Sequence, residues 1–421
     1  MILIKNGRVI DPATKKDEQL DVLIKDNLIY KMDKNIEIQG VETIIDAKGK
    51  IVAPGLIDVH VHFRDPGFTY KEDISTGSLS AARGGYTTVV CMANTNPVVD
   101  NEETLEYVKK ECEKSKINVL QASAITRGLK GTELVDMELM KKLGAVGFTD
   151  DGIPIMDNNI VMNAMKKAKE LNVPLSFHEE DPSLIENPGI NKGKISEQLG
   201  LGGASHLAED VMVARDCILA IETGAKVNIQ HLSSGISVDL IKFSKSHGAN
   251  ITAEVSPHHF SLTEDAVLEY KSNGKMNPPL RTEKDRLKLI EGLRDDTIEI
   301  IATDHAPHSK EEKEREFTKA PSGIIGLETA LALGITNLVN KGHLSMLKLL
   351  EKMTVNPAKL YNLTSGSIKE GSVADIVIFD PSEKWVVKNF KSKSTNSPFV
   401  GQELCGKVKY TLCNGKIVYQ D

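Results

Sequence analysis

Six side chains able to bind a divalent cation close a series of apolar runs. They are His60 and His62 in GLIDVHVHF, Asp151 in AVGFTDDG, His178 in VPLSFHEE, His231 in KVNIQHLS and Asp304 in IEIIATDHA. Residues two apart on a strand point to the same face, so His60 and His62 can present both imidazoles to one ion. Imidazole and carboxylate donors suit zinc or a similar divalent metal. Taken singly, each residue has a bland reading, because a lone strand histidine is more often a satisfied polar group than a ligand. Four histidines and two aspartates at the same place on five runs are a strong signal, because accidents would scatter over both ends of a fold. Six ligands exceed the needs of one tetrahedral zinc. A pair of ions with one bridging carboxylate fits better: ions about 3.5–4 Å apart can share a hydroxide and polarise a carbonyl, with the pKa of water brought to about 7. A single-metal site, with some of the six unligated, stays open.

The runs that carry these residues belong to a regular alternation across 55–365. Eight read as strands: the five above together with TTVVCMANT, NVLQASAIT and NITAEVSPHH. Helical periodicity follows most of them, as in DNNIVMNAMKKAKELN and AEDVMVARDCILAIETG. Eight βα units predict a TIM (β/α)8 barrel. Barrel active sites sit at the C-terminal ends of the strands, where all six residues fall. No sequence repeat underlies the alternation.

The two ends resemble each other and differ from the middle. Residues 1–54 and 366–421 read as short alternating strands, and Asn6-Gly7 and Asn414-Gly415 are hairpin signals. A small β-sandwich domain built from both termini is expected beside the barrel, with two separate terminal caps as the alternative. The charged run Lys310–Glu316 (KEEKERE) reads as a solvated loop or helix face.

At 421 residues the chain suits a barrel plus a smaller domain, and 40% hydrophobic with 26% charged residues is ordinary for a soluble enzyme. A net charge of -7 without basic clusters argues against nucleic acid as a partner. No stretch reaches the roughly 18 apolar residues of a membrane span. Five scattered cysteines without CxxC spacing, and a start (MILIKNGRVIDP) that lacks a signal-peptide apolar run, point to reduced thiols and a cytoplasmic location.

The sequence resembles dihydroorotases of the longer bacterial class, in the amidohydrolase superfamily. The matching segments are DVHVHFRDPG (58–67), ARGGYTTVVCMANTNP (82–97), FTDDG (148–152), KMNPPLR (275–281) and ATDHAPH (302–308). The resemblance covers nearly the whole chain. HxH alone indicates only the superfamily, whereas HVHFRDPG and TDHAPH together are specific. It implies zinc as two ions per chain: His60, His62 and Asp304 on the first, His178 and His231 on the second, and Asp151 with a hydroxide bridging them. Many superfamily members, hydantoinases and allantoinases among them, bridge with a carboxylated lysine, and no lysine ends the fourth run here. The resemblance makes Asp304 the catalytic acid/base, opening dihydroorotate to carbamoyl aspartate or closing it again. Arg64, two residues beyond His62, would grip the substrate carboxylate through paired hydrogen bonds. Asn94, Asn277 and His308 would complete the substrate contacts with His62, Asp304 and the backbone at Ser322 and Gly323. For Arg64 the bland reading is a surface ion pair, and for Asn94 and Asn277 a loop cap. Three positions depart from the family: Ala93 for a proline, Ser322 for a phenylalanine and Glu179 for a cysteine.

Two other readings compete. Some chains of this kind have lost ligands and serve to assemble with aspartate transcarbamoylase, but all six ligands are intact here. A related variant keeps its ligands and is active only in that complex. A sister hydrolase would act on hydantoin, dihydropyrimidine or allantoin, substrates without the exocyclic carboxylate that Arg64 would bind. A homodimer is the expected assembly.

Overall fold

The computed structural model describes residues 1–421. Strands β1 (Ile2–Asp11), β2 (Lys16–Lys25), β3 (Leu28–Asp33), β4 (Thr43–Asp46) and β5 (Ile51–Pro54) open the chain. The middle carries β6 (Leu56–Val61), β7 (Tyr86–Cys91), β8 (Asn118–Gln121), β9 (Phe148–Thr149), β10 (Leu175–Phe177), β11 (Val227–Ile229), β12 (Ile251–Val255) and β13 (Ile300–Ile301). Strands β14 (Ile376–Val386), β15 (Glu403–Cys413) and β16 (Lys416–Gln420) close it.

Each of the eight runs expected to form a strand overlaps one of β6–β13. All their pairings are parallel, in the orders β6-β7-β8 and β9-β10-β11-β12-β13. Single parallel bridges link the two arcs on both sides, Ser123 to Phe148 and Val61 to His305. Every residue of β6 and β7 is buried, as parallel strands covered on both faces require.

Helices between the strands supply the cover. The helix Asn158–Leu171 shows how its sequence does this. Asp157 caps its start by accepting from the Asn159 N–H, and Asn172 ends it in the left-handed conformation. Val161, Ala164, Met165 and Ala168, spaced three or four apart, form its buried face. They join a core of 72 residues that fills the α/β layer. Truncating Met165 to alanine there would cost about 2–5 kcal/mol.

The two chain ends meet in one hydrogen-bonded network, β16-β15-β14-β5-β1-β2-β3, with β4 added on β1. The joint is antiparallel, β5 on β14, with Ala53 opposite Val377. The outer part of β1 pairs with β4 and the inner part with β5, so the network branches at β1 and carries strands from both chain ends. Ile4, Val22, Ile45, Val52, Ile376 and Leu412 belong to a second core of 14 residues beneath it.

The two Asn-Gly pairs behave differently. Asn414-Gly415 is the expected two-residue hairpin, with φ of 51° and 74°. Asn6-Gly7 is instead a bulge inside β1, where the register with β2 shifts. Gly7 lies so close to Val52 that an added Cβ would meet its Cγ2 at 2.5 Å. The glycine there permits strand packing rather than a turn.

Candidate metal centre

All six expected ligands converge. His60 lies within β6 and His62 just beyond it; Asp151, His178, His231 and Asp304 each follow the end of their own strand by one to three residues. Asp151 stands in the middle. Its Oδ1 is 3.3 Å from His60 Nε2, 3.9 Å from His178 Nδ1 and 3.8 Å from His231 Nε2, and its Oδ2 is 3.4 Å from His62 Nε2. Asp304 Oδ1 sits on one side only, 3.1 Å from His62 Nε2 and 3.5 Å from His60 Nε2. Two ligand groups thus share Asp151: His60 and His62 on one side, His178 and His231 on the other.

The donor set fits divalent cations. His60 Nδ1 lies 2.6 Å from Glu254 Oε1, His62 Nδ1 3.0 Å from Asn94 Oδ1, and His178 Nε2 3.0 Å from Glu180 Oε2. Each of these imidazoles can donate its outward N–H, which leaves the inward nitrogen a lone pair. His60 Nε2 is buried without a hydrogen-bond partner. Nitrogen and oxygen donors of this kind suit zinc and its first-row neighbours. Electrostatics agree. Burial opposes charge at His60, yet the carboxylates of Asp151 and Glu254 outweigh it and lift the imidazole well above its ordinary value. Burial likewise opposes ionisation of Asp151 and Asp304, but His60 and its neighbours hold both carboxyls below theirs. The buried carboxylates demand positive charge, from protons or from metal.

Backbone geometry aims several of these groups. Arg64, His231 and Asp304 adopt positive φ of 60°, 29° and 49°. A non-glycine residue there costs about 1–3 kcal/mol and persists where surrounding contacts over-determine it. The amides flanking Asp304 are held: Thr303 N–H donates to Asp58, and His305 N–H to Thr303 Oγ1 at 3.1 Å.

The two asparagines touch ligands rather than merely capping loops. Asn94 donates from Nδ2 to Asp151 Oδ2 at 3.1 Å while its Oδ1 faces His62. Asn277 Nδ2 donates to Glu180 Oε2 at 2.7 Å and lies 3.5 Å from His178 Nε2. Glu254 and Glu180 were absent from the sequence-based site. Glu254 had a signal, a single acid inside the apolar strand ITAEV, since a buried carboxylate must have a partner. It also accepts from Asn228 Nδ2 at 3.1 Å. Glu179 is buried beside Asp216 and Arg215; burial and the Asp216 charge push its carboxyl well up. Nothing in the structure explains Ala93.

The residues expected to contact substrate form a second layer. Arg64 donates from Nε to the Pro307 carbonyl at 3.2 Å and lies 3.4 Å from His308 Nε2, and no carboxylate pairs with it. His308 Nε2–H donates to the Ser322 carbonyl at 2.8 Å, which leaves Nδ1 facing Lys71 Nζ at 3.4 Å. Gly323 has φ of 110°, and its N–H donates to the Lys275 carbonyl at 2.9 Å. Its amide is therefore already engaged. His308 borders an open cleft of about 860 Å³, together with Lys313, Phe317 and Asn396. Part of the charged run 310–316 is not solvated. Glu312 pairs with Lys71 at 2.9 Å, and Lys313, 6% exposed, donates to the carbonyls of Pro321 and Gly323 at 2.9 and 3.0 Å.

Comparison with known proteins follows the same lines. Residues 49–237 match a family model described as Dihydro-orotase-like, and residues 331–419 one described as Amidohydrolase family. Curated relatives include the dihydroorotase of Clostridioides difficile strain 630, 69% identical with 100% of both chains covered. Those of Clostridium acetobutylicum and Streptococcus pneumoniae are 59% and 53% identical, also with 100% of both chains covered. Among solved structures, the L-hydantoinase (dihydropyrimidinase) of Arthrobacter aurescens has a TM-score of 0.88 at 26% identity, covering 100% of this chain and 96% of that one. D-hydantoinase (dihydropyrimidinase) from Thermus sp. has a TM-score of 0.86 at 25% identity, with the same coverage.

Proposed function

Because this chain belongs to the dihydroorotase family of amidohydrolases, we propose that it interconverts N-carbamoyl-L-aspartate and L-dihydroorotate, the third step of UMP biosynthesis. The observation that carries this reading beyond cyclic-amide hydrolysis in general is the Arg64 guanidinium, which has no carboxylate partner in the protein and lies beside the ligand cluster. Dihydroorotate has an exocyclic carboxylate to meet it; hydantoin and dihydropyrimidine have none. A guanidinium can bind that group through two parallel hydrogen bonds.

Two zinc ions are the proposed cofactor, one held by His60, His62 and Asp304, the other by His178 and His231, with Asp151 shared. When bound, they supply a nucleophile at neutral pH and polarise the ring carbonyl. The chain's own groups do the rest. Asp304, ionised at neutral pH, accepts a proton as water adds to the ring amide carbon. It returns that proton to the leaving ring nitrogen as the C–N bond breaks, and the amide carbon becomes a carboxylic acid that ionises by giving the second proton of water to solvent. Cyclisation runs the same steps backwards and releases water. Glu254, Asn94 and Glu180 hold the imidazoles in the tautomers that face inward. Arg64, Asn94, Asn277, His308 and the backbone at Ser322 orient the substrate, with His62 and Asp304 at its reacting end; Gly323, whose N–H donates to Lys275 and whose carbonyl accepts from Lys313 and Asn396, holds the Ser322 loop in place.

The reading extends to architecture and setting. Strands β6–β13 form one closed TIM barrel spanning 55–365, supported by the bridges on both sides of the two arcs. Residues 1–54 and 366–421 form the small β domain, supported by its separate core. Five free cysteines support a cytoplasmic setting, and no helix is long and apolar enough to cross a membrane. A homodimer is the proposed assembly, with aspartate transcarbamoylase as a further partner. Exposed Val211, Ile218 and Ile221 on the helix Leu207–Thr223 support an interface.

The test is metal content per chain measured alongside turnover of dihydroorotate, followed by loss of ultraviolet absorbance. Zinc-loaded protein should turn over and chelator-stripped protein should not. Two bound zinc ions without turnover, alone and with transcarbamoylase added, would overturn the assignment.

A further inference from the structure

Asn396 lies far along the chain from every expected site residue, in the segment between β14 and β15. That segment runs back to the site. Ser394 Oγ donates to the Lys71 carbonyl at 2.7 Å, Lys393 Nζ pairs with Asp73 at 2.5 Å, and Ser392 Oγ donates to Glu72. These contacts bring Asn396, 5% exposed, between two loops that each carry a substrate-side residue.

Its amide is fully used. Oδ1 accepts the His308 backbone N–H at 3.1 Å, and Nδ2 donates to the carbonyls of Ala306 and Gly323, both at 3.1 Å. Its own carbonyl accepts the Ile325 N–H at 3.0 Å. Where the strand edge runs out, at the single bridge from His305 to Ile324, one side chain continues the ladder by holding both loops. One acceptor and two donors in a plane is what a primary amide offers, and aspartate, the isostere, has no proton for either carbonyl.

We propose that Asn396 is a positioning residue for the reaction, holding the His308 backbone against the Ser322–Gly323 loop so that the imidazole faces the substrate. The proposal rests on the assignment of His308 as a substrate contact. Asn396 touches neither the metal ligands nor the reacting atoms, so its removal should weaken substrate binding and spare the chemical step. His308 reaches Ser322 through its ring and Asn396 through its backbone, so the imidazole can be aimed only while both anchors hold.

The test is a double-mutant cycle in the metal-loaded full chain, with Asn396→Ala and His308→Ala made singly and together. Asn396→Ala should raise KM for dihydroorotate by about tenfold or more, with kcat within about threefold of wild type and metal content unchanged. In the His308→Ala background the same substitution should change KM by less than about twofold, because residues acting as a unit are not additive. Equal losses in both backgrounds would overturn the proposal, as would a loss that falls on kcat or metal content. If Asn396→Ala does not fold, Asn396→Ser runs the same cycle; its hydroxyl keeps part of the network, and the same non-additivity decides. His308→Ala with unchanged KM also overturns it. Failure of the wild-type chain to turn over dihydroorotate is a separate result and removes the parent assignment instead.

Discussion

His178 Nδ1 and His231 Nε2 face each other at 2.9 Å, and both are within 3.9 Å of Asp151 Oδ1. Two imidazole lone pairs at that distance repel unless a proton or a cation lies among them. His178 already uses its other nitrogen on Glu180, at 3.0 Å, so its inward nitrogen is the one left for a cation. Protein carrying His231→Ala is expected to bind one divalent ion fewer per chain than wild type, measured by elemental analysis after dialysis. Equal metal content in the two proteins would remove His231 from the centre.

Glu254 is expected to tune the other side. It accepts from the outward nitrogen of His60 at 2.6 Å, and a carboxylate so placed raises the basicity of the ligand and fixes its orientation. Glu254→Gln should lower metal affinity by about 10–100-fold, the usual effect of removing such a partner. A competition titration with a chromophoric chelator reads this directly, and an unchanged affinity would show that His60 needs no orienting group.

The convergence of the six candidate ligands was legible because strand geometry is periodic. His60 and His62 had to share a face, and the other four had to meet them once each strand ended at one rim. Glu254 obeys the same geometry, and its one signal, an acid inside an apolar run, says that it has a partner without saying which. Asn396 had no local signal, since its partners His308 and Gly323 come near only through the fold. The charged run 310–316 misled for a related reason: charge implies solvent unless partners are known, and those of Lys313 are backbone carbonyls. Asn6-Gly7 has turn chemistry, but the bulge in β1 uses the same positive φ for another purpose. Local patterns predict local geometry well, and they are silent on which distant groups will satisfy a buried polar atom.

Arg64 is the residue that tests the choice between dihydroorotate and cyclic amides without a carboxylate. Arg64→Ala should cut kcat/KM for dihydroorotate by about 10–100-fold, the scale of one or two lost hydrogen bonds to a charged group. The loss should appear mainly in KM. Arg64→Lys should recover little, because an ammonium cannot reproduce the paired geometry. Unchanged binding in the alanine variant would remove the dihydroorotate assignment and leave a cyclic-amide hydrolase.

The last expectation concerns acid. Burial, together with the charges of Arg64, Lys71 and Lys313, pushes the His308 imidazole far below its ordinary value, so it stays neutral in the folded chain. In the unfolded chain it takes up a proton below about pH 6.5. The unfolded state then binds more protons, so the folded state loses stability as pH falls below that value and keeps it above. The loss should reach about 2 kcal/mol by pH 5. His308→Gln has no such proton to bind. Urea unfolding of both proteins, with metal loading held equal, should show a stability difference that is constant above about pH 7.5 and shifts against wild type below pH 6.5. A difference that stays flat from pH 8 to 5 would mean that His308 titrates alike in both states, and that the cations around it do not act on the ring.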